Sequence, residues 1–178
     1  WGDDYAWLRD PKYPAVEDPG VIEYLTAENA YFEAWKTEQQ PLLDTLFEEM
    51  KGRIKEDDRS VPIRDGAWEY WWAFEKGAQY RKWWRRKWVD GPLIDHSDGA
   101  EIVFDEPAEA AGKDYFVLGA MEVSPDHKLL ATLIDDNGSE RFQLRIRDLA
   151  TGREIETVTA VGIGQPLWSN DSAGVVFT

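Results

Sequence analysis

The residues of this chain that could form a catalytic triad are its two histidines, His96 and His127, and its serines. In α/β-hydrolases the nucleophilic serine lies in a G-x-S-x-G turn at the end of a strand. No serine of this sequence lies in such a turn, and two histidines without a nucleophile do not make a triad. We therefore predict no catalytic residue in this chain. We also predict that His127, which follows Asp126 in a turn, is a solvated turn residue.

Three other motifs could carry chemistry, and each has a simpler structural interpretation. The carboxylates Glu56, Asp57 and Asp58 could act as general acid and base, but they follow a predicted helix and favour a helix end on the surface. Residues 135–138 (Asp-Asp-Asn-Gly) lack the ligand alternation and final glutamate of a calcium loop, so they predict a hairpin turn. Residues 162–164 (Gly-Ile-Gly) lack the third glycine of a dinucleotide-binding motif and predict a loop between repeats. The chain has no cysteine, and we predict neither a metal site nor a bound cofactor.

Residues 81–88 (RKWWRRKW) combine basic and aromatic side chains, which could stack on single-stranded nucleic acid or lie at a membrane surface. The formal net charge of −15 opposes binding to phosphate backbones. No apolar run approaches the ~18 residues that a membrane span needs. We therefore predict no nucleic-acid partner and no membrane partner. The interpretation that we favour is a β-strand whose tryptophans pack between repeats while its arginines and lysines face the solvent.

Residues 121–148 predict two strands joined by turns, and the pattern recurs in the chain. Leu129 begins an apolar run of strand length, and a second run alternates apolar with polar side chains, as a half-buried strand does. The turn at 123–126 (Val-Ser-Pro-Asp) returns about 45 residues later at 168–171 (Trp-Ser-Asn-Asp), with Val175 in the place of Leu129. A period of this length with short strands is typical of β-propeller blades, although another antiparallel all-β fold remains open.

A third, weaker copy covers residues 61–80, where alternating aromatic residues precede a predicted hairpin turn at Gly77. The spacing of this copy is wider, and we interpret residues 90–112 as an insertion.

Before these copies, apolar residues recur at helical spacing. They predict one helix over 21–40 and a second helix from Pro41 to near Glu56, because proline breaks a helix but suits a first turn. The hydrophobic period then changes from 3.6 to 2. We therefore predict two domains, a helical segment over 1–58 and an incomplete set of blades over 59–178.

Several motifs, in a shared order, carry a resemblance to a known family. The longest is FEEMKGRIKEDD at 47–58, which Ser-Val-Pro follows at 60–62. The others, in chain order, are DYAWL (4–8), YLTAENAY (24–31), YFVLG (115–119), VSPD (123–126) and LRIRDLATG (144–152). Together they resemble the N-terminal portion of oligopeptidase B, a branch of the prolyl oligopeptidase family of serine peptidases.

The resemblance implies a mainly β fold with N-terminal α-helices, in which a helical segment precedes the first blades of a seven-bladed β-propeller. It implies that this segment packs on an α/β-hydrolase domain absent from this chain. It also implies that the Ser, Asp and His of the triad lie C-terminal to Thr178. Since the chain opens on Trp1 and not on methionine, we expect it to be a piece of a longer protein.

The family's activity implies a serine endopeptidase that hydrolyses short peptides after Arg or Lys, with the propeller gating access to the active site. The implied partners are short basic peptides and the hydrolase domain of the same protein. We expect a cytoplasmic protein, because a chain without cysteine is compatible with a reducing compartment, and the periplasm stays open because we expect the native N-terminus to be missing. Two alternatives remain open: a prolyl endopeptidase of the same family, which cleaves after Pro, and a non-catalytic β-propeller that only binds.

Overall fold

The structure is a computed structural model, and it describes residues 2–90 and 98–178. His96 therefore lies outside the described residues. The chain divides into two compact units, Trp1–Lys55 and Glu56–Thr178. The predicted domains, 1–58 and 59–178, assign the helical segment to a peptidase domain that is not in this chain, and that assignment stays a prediction.

The first unit contains a 3-10 turn at Ala6–Leu8 and one long helix, α1, over Pro19–Lys51. Asp18 caps the N-terminus of this helix, because its carboxylate accepts a hydrogen bond from the Gly20 amide (2.8 Å). Pro19 follows at the first helical position, where its fixed φ favours the helix and its missing amide hydrogen costs nothing. A local sequence signal therefore sets where α1 begins.

α1 continues through Pro41, so the prediction of two helices with a break at this proline is wrong. A proline removes one hydrogen bond from the helix interior, but the many other bonds of this long helix remain. The one bond lost is that from residue 41 to the carbonyl of Thr37, four residues earlier. The helix ends at Lys51, earlier than the predicted end near Glu56, and Gly52 forms its C-terminal cap.

The second unit consists of antiparallel strands. In chain order these are β1 (Ile63–Asp65), β2 (Trp68–Phe74), β3 (Arg81–Lys87), β4 (Glu101–Asp105), β5 (Val117–Val123), β6 (Leu129–Asp135), β7 (Phe142–Asp148), β8 (Glu154–Val161), β9 (Leu167–Trp168) and β10 (Val175–Val176). The first four strands form one sheet, β5 to β8 form a second sheet, and β9 pairs with β10. In both four-stranded sheets each strand pairs with the next along the chain, as in a propeller blade. The predicted mainly β fold is confirmed.

Strand β4 and the short helix α2 (Glu106–Ala110) lie within residues 90–112, which we predicted to be an insertion. That interpretation is wrong for β4, because β4 pairs with β3 and completes the first sheet. The basic and aromatic residues from Arg81 to Lys87 form β3, so the strand prediction for this stretch is confirmed.

The two copies of the turn motif share individual hydrogen bonds. The Leu129 amide donates to Ser124 Oγ (2.9 Å), and the Gly174 amide donates to Ser169 Oγ (3.0 Å). Each serine hydroxyl then donates to the aspartate two residues later. Since Gly174 makes the bond that Leu129 makes, it is the structural counterpart of Leu129. The predicted equivalence of Leu129 with Val175 is therefore wrong by one residue.

Strand β6 is buried on both of its faces. Leu130 and Ile134 lie in an apolar cluster that includes residues of the first sheet. Ala131 and Leu133 lie in a second cluster, against which Trp168 of β9 packs. Successive residues of a strand point to opposite faces. The continuous apolar run of β6 therefore packs between two neighbouring sheets.

We expect the Ser124→Ala substitution to lower the free energy of unfolding by roughly 1–3 kcal/mol, because the fully buried Ser124 hydroxyl is the acceptor of the Leu129 amide. Ser169→Ala removes the same bond from an exposed turn, where water can replace it, and we expect a smaller loss. Urea denaturation of the two variants measures the difference. Equal losses would contradict the conclusion that burial sets the cost.

The Ser124 hydroxyl, by donating to Asp126, is the main cause that lowers the pKa of this carboxyl to about 2. A lowered pKa in the folded state stabilises the fold above the ordinary aspartate pKa of about 3.8, and this stabilisation disappears as the pH falls towards 2. We expect Asp126→Asn to be less stable than the wild type at pH 6, with the difference shrinking between pH 4 and 2. Urea denaturation at several pH values measures it, and a difference that does not change with pH would refute the assignment.

Candidate functional site

A cleft with a volume of about 430 Å³ lies between the first sheet and strand β5 of the second sheet. Its walls are mainly aromatic and aliphatic. Among the residues that line it are Ile63, Asp65, Tyr70, Trp72, Trp83 and Met121. A concave surface of this kind, with a few polar groups among apolar ones, is the usual form of a binding site.

The register of the strands brings these side chains to one face of the first sheet. Ile63 of β1 pairs with Tyr70 of β2, and Trp72 of β2 pairs with Trp83 of β3. Side chains two residues apart on a strand point to the same face, so Tyr70 and Trp72 project together. Met121 of β5, like Tyr70 and Trp83, packs against the apolar cluster between the sheets.

Two polar residues of the cleft, Asp65 and Tyr70, lie next to His127. Tyr70 Oη is 2.9 Å from His127 Nδ1, and Asp65 Oδ2 is 4.0 Å from the same nitrogen. The Asp65 side chain is 68% exposed, whereas the His127 side chain is only 15% exposed. Burial raises the pKa of Tyr70, so its hydroxyl is protonated at neutral pH and can donate a hydrogen bond to the imidazole.

The prediction that His127 is a solvated turn residue is wrong. Its ring stacks on Tyr70, with ring centroids 6.1 Å apart, and its carbonyl accepts a hydrogen bond from Arg85 Nη1 (2.6 Å). Its φ of 59° lies in the left-handed region. The turn is polar in sequence, but the first sheet covers it. The contacts that bury His127 come from residues 42 and 57 positions away.

The prediction that the basic residues of β3 face the solvent is wrong for Arg85. This residue is buried. Its guanidinium lies 4.0 Å from the centre of the Trp68 ring, and its Nε donates to Glu101 Oε1 (2.6 Å). Alternate residues of a strand lie on the same face. In the sequence RKWWRRKW each face therefore carries both tryptophan and arginine side chains. Trp83 therefore accompanies Arg85 on the face towards the cleft.

The remaining motifs from the sequence analysis lie in turns and loops. Residues 56–58 lie between α1 and β1, and residues 162–164 lie between β8 and β9. The Asp135 carboxylate accepts hydrogen bonds from the amides of Asn137, Gly138 and Glu140. Residues 135–138 therefore form the predicted hairpin turn. Burial raises the pKa of Asp135, but these amides outweigh it and lower the pKa. Within residues 2–90 and 98–178, no group of acidic, histidine or cysteine side chains could hold a metal ion.

A second surface of interest lies on α1, which exposes many large apolar side chains. Those of Phe32, Trp35, Leu46, Phe47 and Met50 are each between 44% and 58% exposed. Apolar patches on this scale mark an interaction surface. None of the helices in the described part of the chain is long and apolar enough to span a membrane.

The sequence contains part of the signal for the cleft, but not all of it. The two-residue spacing of Ile63 and Asp65, and of Tyr70 and Trp72, places each pair on one face of its strand. Nothing in the sequence indicates that Met121 of β5 lies opposite this face, because that contact depends on how the two sheets pack.

Gly66 allows the close approach of His127 to the first sheet. Its φ is +56°, and a Cβ atom there would lie 2.9 Å from His127 Nε2. Gly77 has a φ of +76° but open space around it. We expect Gly77→Ala to cost about 1–2 kcal/mol of stability from the backbone alone. We expect Gly66→Ala to cost about 1 kcal/mol more, because the histidine must leave its hydrogen bond to Tyr70.

Chemical denaturation of the two glycine variants measures this difference. The same pair made in a His127→Ala background provides the control, since the extra cost at Gly66 should then disappear. An extra cost that persists without the imidazole would show that another contact causes it.

Comparison with known proteins agrees with this architecture. Residues 1–178 match the family described as prolyl oligopeptidase, N-terminal β-propeller domain. The chain is 38% identical over 180 residues to dipeptidyl aminopeptidase BI of Pseudoxanthomonas mexicana. This alignment covers 95% of this chain and 24% of that protein. The chain is 29% identical over 150 residues to Protease 2 of Moraxella lacunata. That alignment covers 84% of this chain and 21% of Protease 2.

Among solved structures, oligopeptidase B from Leishmania major superposes with a TM-score of 0.77 at 28% identity, over 93% of this chain and 23% of that one. The chain therefore spans about a quarter of the length of these relatives. Both the helix and the sheets lie within the matched region. The chain belongs to the N-terminal β-propeller domain of the prolyl oligopeptidase family of peptidases.

Proposed function

We propose that this chain is the N-terminal part of a serine peptidase that hydrolyses short peptides. In this proposal the Ser, Asp and His of the triad lie C-terminal to Thr178, and the chain itself contributes no catalytic residue. The observation that carries the proposal is the match of the whole chain, residues 1–178, to the family's propeller domain. The exposed apolar face of α1 supports it, because an attached hydrolase domain would cover that face.

For the substrate we favour peptides that are cleaved after Arg or Lys. Support comes from the 28% identity to the oligopeptidase B of Leishmania major. The net charge of −15 adds support, because an acidic surface attracts basic peptides and speeds their encounter with the enzyme. In this proposal the residues that bind the cleaved side chain belong to the hydrolase domain.

A second candidate is the removal of dipeptides from the N-terminus of a peptide. It is favoured by the 38% identity to dipeptidyl aminopeptidase BI. The two candidates differ in the end of the peptide that they recognise: an exopeptidase needs a free α-amino group near the scissile bond, and an endopeptidase does not. Cleavage after proline and binding without catalysis are the remaining alternatives.

The blades would serve as a gate. In a propeller the blades surround a central channel, and a channel of this kind admits an extended peptide but excludes a folded protein. The packing of the first two sheets against each other would then form part of the wall that separates the active site from folded proteins in the solvent.

We expect the full-length protein to cleave a peptide that has a blocked N-terminus and an arginine before a fluorescent leaving group. Two matched peptides provide the comparison: one has a free dipeptide before the same leaving group, and the other is blocked with proline before it. A serine-directed phosphonofluoridate should abolish the activity. The rates of fluorescence release measure all three reactions.

Cleavage of the free dipeptide substrate without cleavage of the blocked one would replace the first candidate with the second. Cleavage after proline alone would identify a prolyl endopeptidase. A folded full-length protein that cleaves none of the three peptides would contradict the peptidase proposal and support a binding propeller.

A further inference from the structure

We propose that the cleft between the first sheet and β5 is a second peptide-binding site, which holds a lysine or arginine side chain of the substrate away from the bond that is cleaved. This inference rests on the proposed peptidase function and goes beyond it, because it assigns a site to the propeller itself. Its position, the chemistry of its walls and its charge support the proposal.

The cleft lies at the edges where neighbouring blades converge. Trp168 Nε1 of β9 donates a hydrogen bond to the Glu122 carbonyl of β5 (3.1 Å), so the first strands of successive blades are in direct contact. Blades arranged around an axis approach each other most closely next to that axis. Strands β1 and β5 therefore lie on the channel side of their blades, and the cleft between them opens where a peptide would pass.

The walls of the cleft suit a long side chain with a charged end. Tyr70, Trp72 and Trp83 provide aromatic surface, and Met121 provides a flexible apolar one. Lysine and arginine pack their aliphatic stems along apolar surfaces and keep the charged group at a polar edge. Ile63 is 71% exposed, so an apolar side chain is already presented at the mouth of the cleft.

The lining of the cleft includes an acceptor for that charge. Asp65 is exposed, and no lysine or arginine within the described ranges 2–90 and 98–178 forms a salt bridge with it. Its one ionic neighbour there is His127, whose Nδ1 is 4.0 Å away and faces the Tyr70 hydroxyl at 2.9 Å. Glu122 also lines the cleft, but its carboxylate is held by a hydrogen bond from Gln165 Nε2 (2.7 Å), whereas Asp65 accepts no hydrogen bond from the described residues.

Two arginines of β3 next to the cleft already pair with glutamates. Arg81 lies over the ring of Trp83 at 4.5 Å and pairs with Glu106 at 3.2 Å. Arg85 pairs with Glu101 at 2.6 Å. Neither arginine pairs with Asp65, so an incoming cationic side chain can bind this carboxylate.

The experiment uses the full-length protein and two peptides that share the same residues around the scissile bond. One peptide carries a lysine several residues away, and the other carries norleucine there, which has a similar length and no charge. We expect a KM about three- to tenfold lower for the lysine peptide, the range of an exposed ion pair combined with contact to aromatic rings. The preference should shrink at high salt concentration.

Asp65→Asn should reduce the ratio of the two KM values to about one. Asp136→Asn removes a carboxylate from the hairpin between β6 and β7 and should leave the ratio unchanged. Equal KM values for the two peptides in the wild type, or a preference that persists in Asp65→Asn, would overturn the proposal. Tighter binding of the norleucine peptide would identify an apolar site instead.

A binding measurement separates this proposal from the peptidase proposal. The tryptophans of the cleft provide a fluorescence signal, and the full-length protein treated with the serine reagent can be titrated with both peptides. A lysine preference that depends on Asp65, in a protein without peptidase activity, would support the site and reject the proposed function. Active enzyme without the preference would do the reverse.

Discussion

Both full sheets of this chain bury residues between themselves and a neighbouring sheet, and β6 shows the constraint most clearly. Leu130 and Ile134 face the first sheet, whereas Ala131 and Leu133 face the strands that follow. A strand with apolar side chains on both faces cannot be stable in a single exposed sheet, because burial of apolar surface is the main favourable term in folding. The sheets must therefore stack, and the cleft lies between the first two stacked sheets.

Apolar packing does not determine how two sheets are oriented, because it is non-directional. The polar contacts between the first two sheets are directional. Arg85 reaches across to the His127 carbonyl, and Tyr70 bonds the His127 ring. A buried guanidinium is tolerated because Glu101 and this carbonyl satisfy it. Tyr70 also lines the cleft, so a residue that orients the two sheets belongs to the proposed binding site as well.

The molecule has two surfaces that lack a partner within the described residues, and they differ in chemistry. The face of α1 is apolar and extends over several turns, which fits a permanent contact with another domain. The cleft is smaller and ends in one exposed carboxylate, which fits a transient ligand of opposite charge. A large apolar face suits obligate association, whereas a few polar groups in a concave pocket provide specificity.

The sequence by itself determined the main elements and the family. The alternation of apolar residues predicted the strands, and the repeated serine turn predicted the spacing of the blades. The motif at 47–58 and those that follow it predicted the prolyl oligopeptidase family. These signals are local, because side-chain periodicity and turn chemistry act over a few residues.

Three features were decided only by the tertiary structure. The helix continues through Pro41, His127 and Arg85 are buried, and a cleft lies between two sheets. A long helix absorbed the loss of one hydrogen bond at Pro41, which a local rule for proline does not anticipate. His127 and Arg85 are buried by contacts more than forty positions apart along the chain. The reason is physical: which polar residue is desolvated, and which faces meet, depends on the packing of complete sheets, and that packing is not encoded in any short stretch of sequence.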